Sequence, residues 1–249
     1  MDCLYIIIPA YNEETNIGRV LEEWYPVVER HNAGGRSRLV VINDGSRDRT
    51  GAILDAFAAA HPLLLPLSEP NRGHGGAVLR GYHFAAEQDA DYVFQTDSDG
   101  QTRPEEFEKF WKHRKEFAMV IGDRRHRQDG FSRVLVTRVL RLVLRLCFRV
   151  KIRDANTPYR LMQIQPLRQN LRLIPKDFGL SNVLLSVLYA KRKLPVLYLP
   201  ITFRPRQGGV NSINLKRIFR IGRQALGDFL RLNRRLDRML KEGAHERDS

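Results

Sequence analysis

Asp97-Ser98-Asp99-Gly100-Gln101 sets two carboxylates two residues apart, with an amide two residues further on. On an extended segment such side chains point to one side, and hard oxygen ligands at a strand end suit Mg²⁺ or Mn²⁺ bridging a diphosphate. A second run, Asn71-Arg72-Gly73-His74-Gly75-Gly76-Ala77, reads as a Gly-rich turn into a helix. There the backbone N–H groups near Gly76, with Asn71 and Arg72, can face phosphate or ribose. It is neither a P-loop, which needs Gly-Lys-Ser/Thr at a set spacing, nor a dinucleotide fingerprint, because no G-x-G-x-x-G follows the first apolar run. Two further polar segments, Pro9-Ala10-Tyr11-Asn12-Glu13 and Asn43-Asp44-Gly45-Ser46, close apolar runs in the same way.

Four short apolar runs precede these segments: Leu4 to Pro9, Leu39 to Ile42, Leu63 to Leu67 and Tyr92 to Gln95. Helical patterns lie between them, at Asn16 to Arg30, at Thr50 to Ala60 after a Ser46/Asp48/Thr50 start signal, and at Gly75 to Glu87. Short strands alternating with helices predict an α/β domain whose mostly parallel sheet is covered on both faces. Ligands of such sheets sit outside the carboxyl ends of the strands. Turn and cap chemistry would explain any one of the four polar segments. Their recurrence at four consecutive strand ends predicts a ligand site along one edge.

The chain has 249 residues with ordinary globular composition, 43% hydrophobic and 28% charged, which excludes disordered, collagenous and low-complexity classes. Cys3 and Cys147 read as free thiols of a cytoplasmic protein, no leader pattern opens the chain, and no apolar run approaches the roughly 20 residues that span a bilayer. Charge is strongly polarised. Residues 1 to 122 hold 13 Lys/Arg against 19 Asp/Glu, whereas residues 123 to 249 hold 29 against 9. A basic half points to polyanion, membrane-surface or phosphorylated-substrate contact.

In that half, Phe131 to Val150 has helical length without Pro or Gly, and Arg138, Arg141, Arg145 and Arg149 fall on one arc beside Val134, Leu135, Val139, Leu142, Val143, Leu146 and Phe148. An Arg-striped amphipathic helix of this kind suits an anionic membrane interface, and packing on the sheet is the alternative. Leu194 to Phe203 reads as a further strand, and residues 213 to 240 as a second basic amphipathic helix. Arg204 and Arg206 beside a Gly-Gly turn, like the Arg124/Arg125 pair, can grip phosphate oxygens. A nucleic-acid role is disfavoured, since the basic residues lie among Leu and Val rather than in an aromatic-interleaved patch.

IIIPAYNEETNI, VVINDGSRDRT, PNRGHGGAVLRGYHFA and TDSDGQ, in this order and spacing, resemble the family 2 inverting glycosyltransferases with a GT-A nucleotide-sugar domain. Asp97-x-Asp99-x-Gln101 followed by Pro104-Glu105 is most similar to the polyprenol-phosphate sugar transferases, such as dolichol-phosphate mannosyltransferase. The resemblance implies that Pro9, Ala10, Tyr11 and Glu13 hold the donor base, Asp44 the base or ribose, Asp97 the nucleotide, and Asp99 with Gln101 the metal. Asp154 to Leu161 and the stretch from Arg204 to Ser212 resemble the acceptor-side segments of the family.

The resulting expectation is one GT-A-like domain over residues 1–210, with a nucleotide-sugar half (1–122) and an acceptor half (123–210) that includes helix 131–150. A basic amphipathic tail follows over 211–249. The expected reaction is metal-dependent transfer of a sugar, with inversion, to a polyprenyl phosphate at the cytoplasmic face of a membrane. The protein would be peripheral or held by a membrane-anchored partner. Polymerising family members carry an acidic residue where this chain has Asn182. An acceptor phosphate is already an anionic nucleophile, so placement by Arg groups such as Arg206 can replace a base. The alternative is transfer to a sugar or protein hydroxyl, for which Asp154 would be the base.

Overall fold

The computed structural model describes residues 2–124, 131–175, 178–204, 227 and 229–238. Its sheet begins with β1 (Leu4–Ala10), every residue of which is buried. A β-branched run without polar alternation fits a parallel strand covered on both faces. Each of its Ile side chains contributes about 1.5–3 kcal/mol by leaving water. Helix α1 (Ile17–Arg30) buries Ile17, Val20, Leu21, Trp24, Tyr25 and Val28, the i, i+3, i+4, i+7 spacing of a single face. Next come β2 (Arg38–Asp44), α2 (Thr50–Ala60), β3 (Leu64–Glu69), α3 (Gly73–Glu87) and β4 (Tyr92–Gln95). All four expected strands and all three expected helices of this half are present, with ends shifted by at most two residues.

A 3-10 turn at Pro104–Glu106 leads into α4 (Phe107–Trp111) and β5 (Met119–Asp123). Helix α5 (Phe131–Phe148), β6 (Arg160–Gln163), α6 (Ile164–Leu171), α7 (Ser181–Lys191) and β7 (Val196–Pro200) follow, and residues 229–238 form a further helix, α8. The seven strands are ordered β3-β2-β1-β4-β6-β5-β7. Only β6 runs antiparallel to its neighbours, so the sheet is mostly parallel, as expected. The reversal matters for function. Gln95 at the end of β4 and Ile121 near the end of β5 both pair with Arg160 at the start of β6. Residues just before β6 therefore share an edge with residues just after β4 and β5. Because β7 is parallel to β5, residues 201–204 leave at the same edge.

The core under this sheet is aromatic. Trp24, Phe94, Phe107, Phe110 and Tyr159 are almost completely buried, with Phe94 and Tyr159 in a T-shaped contact at 4.7 Å between ring centroids. Such pairs add about 0.5–1.5 kcal/mol beyond area burial. Helix α7 is buried from Ser181 through Tyr189, so it reads as apolar all round rather than as amphipathic.

The chain divides into two compact units. The described residues of the first are 2–124, 154–175 and 178–204, which hold the whole sheet; those of the second are 131–153, 227 and 229–238. Helix α5, placed by the sequence reading with the acceptor half, thus belongs to the same unit as the basic C-terminal residues. Within that unit Leu144, Cys147 and Phe148 are buried, and Phe148 meets Phe229 of α8 at 5.4 Å. Val139, Leu142 and Leu146 are exposed at 51, 57 and 68%, alongside exposed Arg141, Arg145 and Arg149. The solvent face of α5 is therefore both apolar and basic. None of the described helices is long and apolar enough to cross a membrane.

Candidate active site

The polar segments after β1, β2 and β3 are stitched to one another by hydrogen bonds. After β1, Pro9 and Ala10 are buried, Tyr11 is exposed, and Asn12 adopts a left-handed backbone at φ 54°. The Asn12 and Glu13 N–H groups donate to Ser46 Oγ (3.0 Å) and Thr50 Oγ1 (2.9 Å), and Arg47 N–H donates to Asn12 Oδ1 (2.8 Å). Ser46 and Thr50, expected as helix-start residues, thus also fasten the loop after β1 to the loop after β2. Asp48 accepts from Glu14 N–H and from Thr50. Burial alone would raise its carboxyl, but the hydrogen bonds from Thr50 and Glu14 hold it below the usual range. The Glu13 side chain is engaged locally, with Oε2 accepting from Asn16 Nδ2 at 2.8 Å.

After β2, Asp44 Oδ1 accepts Arg72 N–H (2.6 Å), and Asn71 Nδ2 donates to the Asp44 carbonyl (2.9 Å). Gly45 sits at φ 67°, and a Cβ there would lie 2.8 Å from Asn71 N. Glycine is required by both conformation and space. Asp44, Asn71 and Arg72, expected from the sequence to serve the donor, are therefore one hydrogen-bonded group. Gly75 approaches the Gly179 carbonyl too closely to admit a side chain, and a Cβ on Gly76 would lie 2.7 Å from Arg72 Cβ. These glycines let the start of α3 pack against the 178–180 segment and the Arg72 side chain.

After β4, Thr96 and Thr102 hydroxyls pair at 2.6 Å and close the turn that carries Asp97 and Asp99. Gly100 turns at φ 67°. Asp97 Oδ1 is buried and accepts no hydrogen bond among the described residues; His74 Nε2 lies 3.9 Å away. Burial pushes the Asp97 carboxyl above the usual carboxylate range. His74 opposes this, Asp99 adds to it, and Arg124 and Arg160 pull it back less strongly. His74 lies within the run quoted from the sequence, yet its type alone did not mark it as a neighbour of Asp97.

These residues fit a divalent cation. A buried carboxylate oxygen without a donor is costly unless a cation or proton meets it. Gln101 spends its amide nitrogen on the Arg204 carbonyl (3.1 Å), which leaves Oε1 as the amide atom available to a metal. Asp97, Asp99 and Gln101 would hold Mg²⁺ or Mn²⁺ through oxygen. Among the described residues no group of three or more His, Cys, Asp or Glu forms a complete cage. Diphosphate oxygens would have to complete the coordination.

Arg124, Asp154 and Arg204, expected from the sequence on an acceptor side, lie at the same edge. Arg124 Nε and Nη2 meet Asp154 Oδ2 and Oδ1 at 2.8 and 3.0 Å, a bidentate pair whose side chains are 10 and 8% exposed. Burial by itself would raise the Asp154 carboxyl. The Arg124 pairing, with a hydrogen bond from Asn156 N–H at 3.1 Å, brings it below the usual range instead. A carboxylate so held is a weak proton acceptor, and the guanidinium edge facing it is no longer open to phosphate. Arg204 is also engaged, with Nη1 on Glu23 Oε1 at 2.6 Å and Nη2 3.5 Å from Glu105 Oε1. Asn182 is buried, its side-chain oxygen 3.3 Å from the Tyr82 hydroxyl and its carbonyl accepting from Arg160. Arg160 is wholly buried and donates to the carbonyls of Ala155, Thr157 and Asn182. Arg125, Arg206 and Ser212 lie outside the described residues.

The glycosyl transferase family 2 model matches residues 5–174, more than half of the chain. The chain belongs to glycosyl transferase family 2. Among its family 2 relatives, the undecaprenyl-phosphate mannosyltransferase of Micrococcus luteus is 27% identical over 216 residues, covering 84% of this chain and 86% of that protein. The polyprenol monophosphomannose synthase of Mycolicibacterium smegmatis is 26% identical over 84% of this chain and 80% of its own. A dolichyl-phosphate beta-glucosyltransferase of Trichomonas vaginalis is 34% identical over 48% of this chain, but only 38% of that relative is spanned. Among solved structures, glucosyl-3-phosphoglycerate synthase from Mycobacterium tuberculosis, in complex with Mn²⁺, UDP and glucosyl-3-phosphoglycerate, superposes with a TM-score of 0.60 at 17% identity, covering 93% of this chain and 80% of that one. The likeness shows that the fold is the GT-A architecture expected from the sequence.

Proposed function

We propose that this family 2 protein transfers a sugar, with inversion, from a nucleotide-sugar donor to a polyprenyl phosphate. The observation that carries the reading is the edge itself: a buried carboxylate oxygen of Asp97 with no hydrogen bond among the described residues, on one turn with Asp99, and the hydrogen-bonded Asp44–Arg72 group at other strand ends of the same sheet edge. It occurs in a chain that aligns along most of its length with two polyprenyl-phosphate mannosyl transfer enzymes.

In the proposed reaction an acceptor phosphate oxygen bonds to the anomeric carbon as the bond from that carbon to the nucleoside diphosphate breaks. A phosphate oxygen is already anionic, so the protein need not remove a proton, and positioning supplies most of the acceleration. That choice of acceptor agrees with the acceptor side, where Asp154 is saturated by Arg124 and position 182 is a buried Asn. A hydroxyl acceptor would require a base that neither residue supplies. Asp97, Asp99 and Gln101 would hold Mg²⁺ or Mn²⁺, which when bound neutralises charge on the leaving diphosphate. Asp44, Asn71 and Arg72 would bind the nucleoside, and the residues after β1 would line the base.

The exposed Val139, Leu142 and Leu146 beside Arg141 and Arg145 support a membrane-surface encounter with the lipid acceptor. Apolar side chains can enter the headgroup region while guanidinium groups meet lipid phosphates, at up to about 1 kcal/mol per basic residue.

A donor panel tests the function. Nucleotide release from UDP-glucose or GDP-mannose should rise at least tenfold on adding a short polyprenyl phosphate with Mn²⁺. Stimulation by an oligosaccharide and none by polyprenyl phosphate would overturn the choice of acceptor. In a sedimentation assay the protein should bind phosphatidylglycerol vesicles and leave them as salt rises, with Arg141→Gln/Arg145→Gln binding less. Equal binding to neutral vesicles would exclude the electrostatic part.

A further inference from the structure

The turn that carries Asp97, Asp99 and Gln101 is restrained from α1, outside every motif read in the sequence. Gln101 and Arg204, 103 positions apart, are doubly joined: Arg204 N–H donates to the Gln101 carbonyl at 2.8 Å, and Gln101 Nε2 donates to the Arg204 carbonyl at 3.1 Å. The Arg204 side chain then runs to Glu23 Oε1 at 2.6 Å. Glu23 Oε1 is also 3.7 Å from Arg19 Nε, one helical turn earlier. The Arg19 guanidinium packs against Gly100, where it occupies the space a side chain would need. One carboxylate on α1 therefore holds both arginines that bracket residues 100 and 101. The connection spans non-neighbouring strands, since β4 and β7 are separated in the sheet by β6 and β5.

We propose that Glu23, acting through Arg204 and Gln101, is a positioning residue that orients the oxygen face of the Asp97–Gln101 turn for a divalent cation. This rests on the metal assignment made above. The Gln101 amide has one donor side and one acceptor side. With its nitrogen fixed on the Arg204 carbonyl, its oxygen is fixed as well, and Gln101 N–H on Asp99 Oδ1 at 3.1 Å sets the neighbouring carboxylate. Arg204 itself, expected from the sequence to grip phosphate, acts here as the strut. Small displacements of such a supporting group matter, because ligand oxygens must meet a cation within a few tenths of an ångström.

The test measures Mn²⁺ binding by electron paramagnetic resonance in the presence of UDP, with UDP binding in chelator measured in parallel. Glu23→Ala and Arg204→Ala should each weaken Mn²⁺ binding about tenfold and leave metal-free UDP affinity unchanged. The double variant should lose no more than Glu23→Ala alone, since the Arg204 side chain acts through its contact with Glu23. Glu23→Gln, which retains an oxygen for Arg204, should fall between wild type and Glu23→Ala, and it carries the test if the alanine variant melts early. Wild-type Mn²⁺ affinity in folded Glu23→Ala or Glu23→Gln, or additive losses in the double variant, would overturn the proposal. Failure of the wild type to bind Mn²⁺ with UDP would instead remove the metal assignment beneath it, while leaving lipid-phosphate transfer to be judged by nucleotide release.

Discussion

Asp97 and Asp154 are two carboxylates at one edge of one sheet, with side chains 26 and 8% exposed, and their surroundings treat them oppositely. Asp97 keeps an oxygen without a hydrogen bond, and burial raises its carboxyl; Asp154 is met by both arms of Arg124 and by Asn156 N–H, and its carboxyl is lowered. A carboxylate saturated from within the chain is part of the scaffold. One left short of donors is prepared for something that arrives from outside. By this criterion the Asp97–Gln101 turn keeps a carboxylate oxygen open, while Arg124 and Asp154 have spent their charges on each other.

The largest effect is expected at the Asp97–Gln101 turn. Asp99→Ala should lower turnover by a thousandfold or more while melting within a few degrees of wild type, read by nucleotide release beside a thermal scan. Retained turnover at saturating Mn²⁺ would remove Asp99 from the site. Asp154→Asn should do the reverse, destabilising the fold by about 3 kcal/mol in urea because Arg124 loses its charge partner in a buried place. Since the Asp154 carboxyl is lowered in the folded state, this contribution is complete above the ordinary carboxylate range, about 4, and fades as pH falls through the folded value. The gap between wild type and variant should therefore narrow as pH falls below that range. A gap unchanged across the whole acid range in which the protein stays folded would show that the pair is not the source.

Smaller effects sharpen the same contrast. Asp44→Ala removes the acceptor of Arg72 N–H and should weaken UDP binding about tenfold, roughly 1.4 kcal/mol, by isothermal calorimetry. Unchanged affinity would move the nucleoside elsewhere on the edge. Tyr82→Phe removes a buried hydroxyl that donates to Gln95 Oε1 at 2.6 Å, beneath the turn rather than in it. It should cost about 1–2 kcal/mol of stability and leave kcat within twofold. A larger loss of kcat would place the Tyr82–Gln95 layer in the reaction.

The first four strands, their helices and the polar segments at their ends were legible because their information is local. A β-branched run, a Gly-rich turn and a carboxylate pair each announce themselves within about ten residues. Helix α5 was legible for the same reason, as a run of helical period without breakers. Strands β5 and β6 were not. Met119–Asp123 and Arg160–Gln163 are short, and Arg160 reads as polar although it is wholly buried. The carbonyls of residues 155 and 157, with the Asn182 carbonyl and Ser186 hydroxyl that the fold brings to it, make that burial tolerable.

By itself, then, the sequence determined the family, the alternating strands and helices of its first half and the identity of the Asp97-x-Asp99-x-Gln101 segment, since all of these rest on residue type and spacing along the chain. Tertiary structure decided which charges remain available. Arg124 and Asp154 stand 30 positions apart, and Arg204 and Glu23 stand 181 apart. Whether a guanidinium faces a substrate or a carboxylate of its own chain is set by strands that reverse direction and meet at one edge, and no local pattern encodes that distance.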